Sequence, residues 1–431
     1  MTPAVSTASS LGSLVSRTRV LAPGEVADLL DRLGPDGFAW IRNGAGFVTA
    51  GVVARLVVEA GPGRFERAAE TVAEVLGSIA VDGPSLVGES GPGAVPIAVG
   101  ALPFDDRSSG SLVVPAIVVV RRPDGGGWIT TISGDEDGRT GHEASKVLNG
   151  HAVSTAAAEF ERREVPGRDV WTESVRRILA TIDAGEVRKV VLARQLVVEA
   201  DGPFDRRVIL DRLRRTHPSC FTYAAGDFVG ASPELLIRRR GDAVDSCPMA
   251  GTVRRGDTPE DDEALVAGLR RSVKEAEEHR LLVEAVLSAL APVCAGPPTA
   301  GEPGVVRFPT VSHLATRVSG VLREPAPSAL ALAGLLHPTP AVGGLPRAQA
   351  LAAIAALEGF DRGLYAGPVG WVDANGDGEW AVALRGAQLD GFRARLVAGA
   401  GIVSGSDPDA EWAETEAKLR PMLAAVGALP A

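Results

Sequence analysis

Cysteine is nearly missing from this 431-residue chain: Cys220, Cys247 and Cys294 are the whole complement. An odd, sparse set without Cys-x-x-Cys or Cys/His ligand spacing supports neither a disulfide framework nor a thiolate metal site, and suits a reducing compartment. None of the three sits in a nucleophile-like turn, which argues against a fused glutamine-hydrolysing domain. Long apolar runs are also missing. The longest, residues 112–120, is interrupted by Pro115 and stopped by Arg121-Arg122, far short of the roughly 20 residues that span a bilayer. Residues 1–16 are rich in Ser, Thr and Ala and lack the apolar centre of a secretory signal. Positive charge is in deficit, with a net charge of −10, whereas nucleic-acid binding needs a basic footprint. A small anionic substrate needs only a local basic pocket. Aromatics are scarce while Ala, Gly and Pro abound, a bias of base composition rather than of function. No Gly-x-Gly-x-x-Gly with the right flanks is present, so a dinucleotide fold is not expected. These absences point to a soluble cytoplasmic protein that binds neither nucleic acid nor membrane.

Hydrophobic and charged contents of 45% and 23% are those of an ordinary globular protein and permit a sizeable core. Length alone suggests two or three domains, yet no clean boundary appears. Residues 1–20 read as disordered and residues 21–431 as one domain, with 135–141 the best linker candidate. Residues 21–160 read as strands and short helices with many Gly/Pro turns. Asn43-Gly44 after the strand-like 38–42 is a hairpin signal, and 116–120 reads as a strand. From 165 the pattern sharpens. Val175, Ile178, Leu179 and Ile182 recur with helical spacing, and Gly185 can close that helix. A strand at 189, a helix over 208–215 and strands at 221–223, 228–230 and 235–239 follow. Residues 260–290 form a long amphipathic helix with a possible break, and 407–426 a last one. Strands clustered among helices without regular alternation give an α+β fold, its antiparallel sheets packed between outer helices.

Lys189 leads into the apolar run Val190-Val191-Leu192-Ala193. Glu234 ends a tight Ser232-Pro233 turn and precedes Leu235-Leu236-Ile237. Burial disfavours charge, lowering a lysine pKa and raising a glutamate pKa. Those shifts make a general base and a general acid near neutral pH. Glu275 and Glu278 share a helix face at i, i+3, and Glu411 and Glu414 repeat the spacing on the last helix, with Lys418 one turn on. Two such pairs can hold one hard cation through oxygen, although surface ion pairs share the spacing. Residues 248–252 and 397–402 read as small-residue turns whose backbone can approach an anion. His337 in the Pro-rich loop 337–344 can stand at a pocket wall. Residues 373–378 begin like a calcium loop, but Leu384 stands where the twelfth ligand belongs, so a hairpin turn is expected.

Together these motifs resemble the chorismate-utilising (chorismate-binding) enzymes. The resemblance covers roughly 165–425 and rests on Lys189 to Arg194, Gly230 to Leu235, Pro248 to Thr252, Glu275/Glu278 and His337 to Gly344. It continues through Leu364 to Gly370, Arg385, Gly399 to Ile402 and Glu411 to Lys418. The N-terminal part fits more loosely, with residues 100–104 its best match. The resemblance implies one large α+β domain and a Mg²⁺-dependent isomerase site that turns chorismate into isochorismate, in menaquinone or siderophore biosynthesis. Lys189 matches the base that activates water against carbon 2, and Glu234 the acid that protonates the departing 4-hydroxyl. Glu275, Glu278, Glu411 and Glu414 match the magnesium carboxylates, whose metal binds the ring carboxylate. Tyr365 and Arg385, with backbone around Gly399 and Gly401, match the groups that hold the enolpyruvyl carboxylate. Thr252, His337 and Lys418 match pocket residues. Relatives that make aminodeoxychorismate carry a lysine where Ala250 stands, and ammonia-using anthranilate synthases lack the lysine at 189. Water is therefore the expected nucleophile, and no amidotransferase subunit is expected. The rival outcomes are salicylate formation, in which pyruvate elimination follows, and an ammonia-using reaction.

Overall fold

The computed structural model describes residues 13–26, 28–83, 94–134 and 159–429. Within them the strands join into one 20-stranded network, with a separate three-stranded sheet. Pairing is antiparallel apart from Leu14–Leu21 against Ala80–Asp82. Asn43-Gly44 makes the expected hairpin between Phe38–Arg42 and Ala45–Val58, with φ of 51° and 75°. Positive φ at both central residues matches the right-handed twist of the flanking strands. Pro115 sits inside the strand Gly110–Arg121, where the register against Ala45–Val58 shifts between Val52 and Ala54. Such a bulge tolerates a residue that cannot donate to the ladder.

The 3.6-residue periodicity finds its helix at Arg168–Asp183, which buries Trp171, Val175 and Ile178; Gly185 follows with φ 77°. These side chains share a core with Val190 and Leu192, so the helix backs the strand Lys189–Ala200. The stretch 260–290 is two helices, Pro259–Arg271 and Val273–Leu290, which meet at Ser272 with ψ 113°. Ser272 Oγ accepts from Glu275 N at 3.2 Å, the side-chain cap that starts a new helix. Asp407 caps the last helix, Pro408–Val426, through Asp409 N and Ala410 N.

Three expectations change. Leu14–Leu21 is a strand, aligned residue by residue with Gly127–Gly134, where disorder was expected through residue 20. Its Ser, Arg and Thr side chains hide the apolar alternation, and Ser16 is buried while Thr18 Oγ1 meets Thr130 Oγ1 at 2.8 Å. Residues 1–12 and the linker candidate 135–141 lie outside the described residues. The supposed turns at 248–252 and 397–402 lie in strands, Met249–Arg254 and Arg393–Ile402. Their small residues serve close approach rather than chain reversal.

Two of these strands position the site. Lys189–Ala200 lies between Phe160–Val165 and Arg393–Ile402, with Gly401 opposite Val191 and Gly399 opposite Ala193. Its first residues, Lys189 and Val190, pair with Leu345 and Gly344.

Candidate active site

A single cavity gathers Lys189, Glu234, Thr252, Glu275, Glu278, Tyr365, Arg385, Gly399, Gly401, Glu411, Glu414 and Lys418. They come from both ends of the 189–418 segment, brought together by the sheet register and two helix starts.

Lys189 is the first residue of its strand and is 6% exposed. Its Nζ stands 2.5 Å from Glu278 Oε1. The lysine stem lies against Gly401, where a Cβ would come within 2.9 Å of Lys189 Cε. Burial pushes Glu278 up, but the Lys189 charge and hydrogen bond outweigh it and hold the carboxyl below its ordinary range. Glu234 lies in the two-residue gap between the strands Phe228–Ser232 and Leu235–Arg240, where a break between strands replaces the expected turn. Ser232 Oγ donates to Val382 O at 2.5 Å, and Val382 N donates to Glu234 O at 3.1 Å. Burial pushes the Glu234 carboxyl up to about 7, against the pull of Met249 N–H, Lys189, Arg385 and Lys418. A carboxylic acid that is half-protonated near neutrality can donate a proton.

The two carboxylate pairs meet at this cavity from different helices. Burial, with Glu278 nearby, raises Glu275. Burial pushes Glu411 up to about 7 despite its hydrogen bond to Ser406, and Glu414 adds to the push. Glu414 Oε1 is 2.5 Å from Lys418 Nζ, which also donates to Gly399 O at 2.9 Å. Among the described residues no three His, Cys, Asp or Glu side chains stand at metal-ligating spacing, and lysines engage Glu278 and Glu414. The donor set is all oxygen, crowded and partly held above its ordinary range. That chemistry fits a hard divalent cation.

Arg385 has φ 49°. Left-handed backbone costs a non-glycine residue about 1–3 kcal/mol and is retained where function needs it. Among the described residues its guanidinium has no protein partner, although it lines the cavity. Tyr365 is 5% exposed, and burial raises its hydroxyl. A Cβ on Gly399 would stand 3.3 Å from Tyr365 Oη. Thr252 Oγ1 meets His313 Nδ1 at 3.1 Å.

His337 is not brought to the cavity. Its Nε2 is 3.0 Å from Phe104 O, and its ring packs against Phe65 and Phe104, in a second depression lined by Arg64, Arg347 and Arg362. The histidine in the cavity is His313, on the strand Val311–Ala315. Burial pushes its imidazole down to about 3, so it is neutral. A histidine in an apolar strand carries no pattern that marks it, so sequence reasoning passed it by. Lys274, exposed at the cavity rim, was also missed, though it directly precedes Glu275 on the same helix. Residues 373–378 form the hairpin turn between Pro368–Asp373 and Gly378–Val382, with Asp373 Oδ1 accepting from Asn375 N and Asp377 N. No helix among the described residues is long and apolar enough to cross a membrane.

The cavity gathers lysines, an arginine and buried carboxylates, an arrangement able to bind a small anion and to exchange protons with it. The chain belongs to the chorismate binding enzyme family, whose model matches residues 6–427. It is 37% identical to the isochorismate synthase DhbC of Bacillus subtilis over 77% of this chain and 81% of that protein. It is 36% identical to the isochorismate synthase EntC of Escherichia coli, again over 77% and 81%. The solved structure of MenF, the menaquinone-specific isochorismate synthase of Escherichia coli, superposes with a TM-score of 0.81 at 27% identity, covering 96% of this chain and 95% of that one.

Proposed function

We infer that this chain is an isochorismate synthase, converting chorismate to isochorismate by adding water at carbon 2 and releasing the 4-hydroxyl. The observation that carries the reading is the juxtaposition around one cavity of Lys189, buried Glu234 and Arg385, whose guanidinium has no partner among the described residues. Relatives of this name match most of the chain, which supports the same reading. Lys189, placed by its strand end and by the space at Gly401, takes the proton of the attacking water. Glu234, protonated in its apolar setting, gives its proton to the departing hydroxyl. Arg385 and Tyr365 hold the enolpyruvyl carboxylate, with backbone N–H at Gly399 and Gly401. Thr252 and neutral His313 border the ring, and Lys418 supports the Glu414 side. The Glu275, Glu278, Glu411 and Glu414 carboxylates would hold Mg²⁺. A bound cation would supply positive charge to the substrate's ring carboxylate. Ala250, 6% exposed in the cavity wall, puts a methyl group where aminodeoxychorismate-forming relatives carry a lysine, which supports water over ammonia.

The test is to incubate the pure protein with chorismate and Mg²⁺ and separate the products. Isochorismate in reversible equilibrium with chorismate is expected. Stoichiometric pyruvate with salicylate fluorescence would move the assignment to a salicylate synthase. An aminated product that needs ammonium would overturn water as nucleophile.

A further inference from the structure

Adjoining the main cavity, and sharing Pro233, His313 and Arg385 with its wall, lies a small cavity of about 10 Å³. Its wall includes His217, Cys220, Thr310, His313 and Arg385. A space of roughly this size is the least that admits one water, which also needs two to four polar partners.

His217 caps the end of the helix Arg206–Thr216 and is 8% exposed. The hydrogen bonds of its neighbour fix its tautomer. Thr216 Oγ1 lies 2.7 Å from Arg212 O, which has no proton to give, so the hydroxyl donates there. The same oxygen lies 2.8 Å from His217 Nδ1. With its proton committed to the carbonyl, it accepts from Nδ1–H. Burial and the Arg385 charge push the imidazole down, so the ring is neutral. Nε2 is therefore a bare acceptor, and this buried atom has no partner among the described residues. A buried acceptor left unpaired is costly and calls for a donor. Arg385 is a donor lining the same space, also without a side-chain partner among the described residues.

We propose that a single ordered water in this cavity accepts from the Arg385 guanidinium and donates to His217 Nε2. His217 is thus a positioning residue for Arg385. The water occupies the small cavity, and the guanidinium also lines the main one, where a carboxylate can bind. Its direction is set from the far end: Arg212 O orients the Thr216 hydroxyl, which selects the histidine tautomer, which orients the water. Arg385 is thereby held by a relay that carries no charge of its own. A carboxylate in the same place would neutralise the guanidinium and weaken its grip on an anion.

The functional part rests on Arg385 holding a substrate carboxylate, so the test has two arms. In the first, a high-resolution crystal structure of the free protein should show a water within hydrogen-bond distance of both His217 Nε2 and Arg385. A dry cavity, or a direct contact between the two side chains, overturns the proposal whatever the substrate is. In the second, two variants separate positioning from packing. His217→Gln places an acceptor near the Nε2 position. His217→Asn keeps a donor near the Nδ1 position and loses that acceptor. KM for chorismate should rise about tenfold in His217→Asn, the scale of a lost hydrogen bond to a charged group, with kcat within about twofold. His217→Gln should recover most of the KM. Equal KM values in the two variants, or a loss confined to kcat, would show that His217 only packs. If the wild-type protein does not turn over chorismate, the functional reading fails while the crystallographic arm still decides the water.

Discussion

Burial of Glu234 serves proton donation and works against stability, and the two effects separate with pH. Its carboxyl lies near 7 in the fold against 4.5 for an ordinary glutamate. Between those values the native state binds more protons than the unfolded chain, so stability falls as pH rises through the window and the full cost is present above 7. Glu234→Gln fixes the neutral form. It should cost about 10²–10⁴ in turnover and yet raise Tm relative to wild type at pH 8, with the difference vanishing at pH 4. An equal Tm difference at both pH values would show that desolvation of the charge is not what the substitution relieves. For wild type, kcat should decline above about pH 7 as the acid is lost, and a flat alkaline limb would remove Glu234 from that role. Lys189→Ala should lose a comparable factor in turnover; a variant that turns chorismate over at near wild-type rate would exclude Lys189 as the base.

Strands place what single residues cannot. Because Gly401 pairs opposite Val191, the missing side chain at 401 is the space the Lys189 stem occupies. Gly401→Ala would put a methyl 2.9 Å from Lys189 Cε. We expect kcat to fall at least about tenfold with an unchanged far-UV spectrum, since a misplacement of about 1 Å can cost two orders of magnitude. Wild-type kcat in that variant would mean that the lysine can stand elsewhere. The same register explains what the sequence conceals. Helical periodicity at 168–183, the Asn43-Gly44 hairpin and both Glu-x-x-Glu faces are local patterns and were readable. Residues 397–402 read as a turn because glycine is a turn former, and only the neighbouring strand reveals them as a close approach. Leu14–Leu21 lacks a readable strand pattern because its middle, Ser16 to Arg19, is a run of four polar side chains. The rigid Pro-rich loop draws attention to His337 and nothing local marks His313; which of the two buried histidines meets the cavity depends on pairing between Met249–Arg254 and Val311–Ala315, which no local window contains.

At the scale of the whole molecule, an acidic chain of net charge −10 gathers four further carboxylates beside Glu234 in one cavity. Their mutual repulsion should be relieved by a divalent cation. Chelation is expected to abolish turnover and Mg²⁺ to restore it. Independently of activity, Mg²⁺ should raise Tm with the logarithm of its excess over Kd, and this rise should be lost in the double variant Glu278→Gln/Glu414→Gln. Full activity in excess chelator, or a Tm indifferent to Mg²⁺ in wild type, would remove the metal. Neither the cation nor the lysines are the first answer to that crowding. Glu275 lies in the first turn of Val273–Leu290, and Glu411 in the first turn of Pro408–Val426. Peptide dipoles sum along a helix to at most roughly half a positive charge at its start, so each helix start offers its own glutamate a partial positive charge. That charge is written into backbone. It has no pKa, no dissociation constant and no rotamer, and it remains at every pH and metal concentration at which the helices exist.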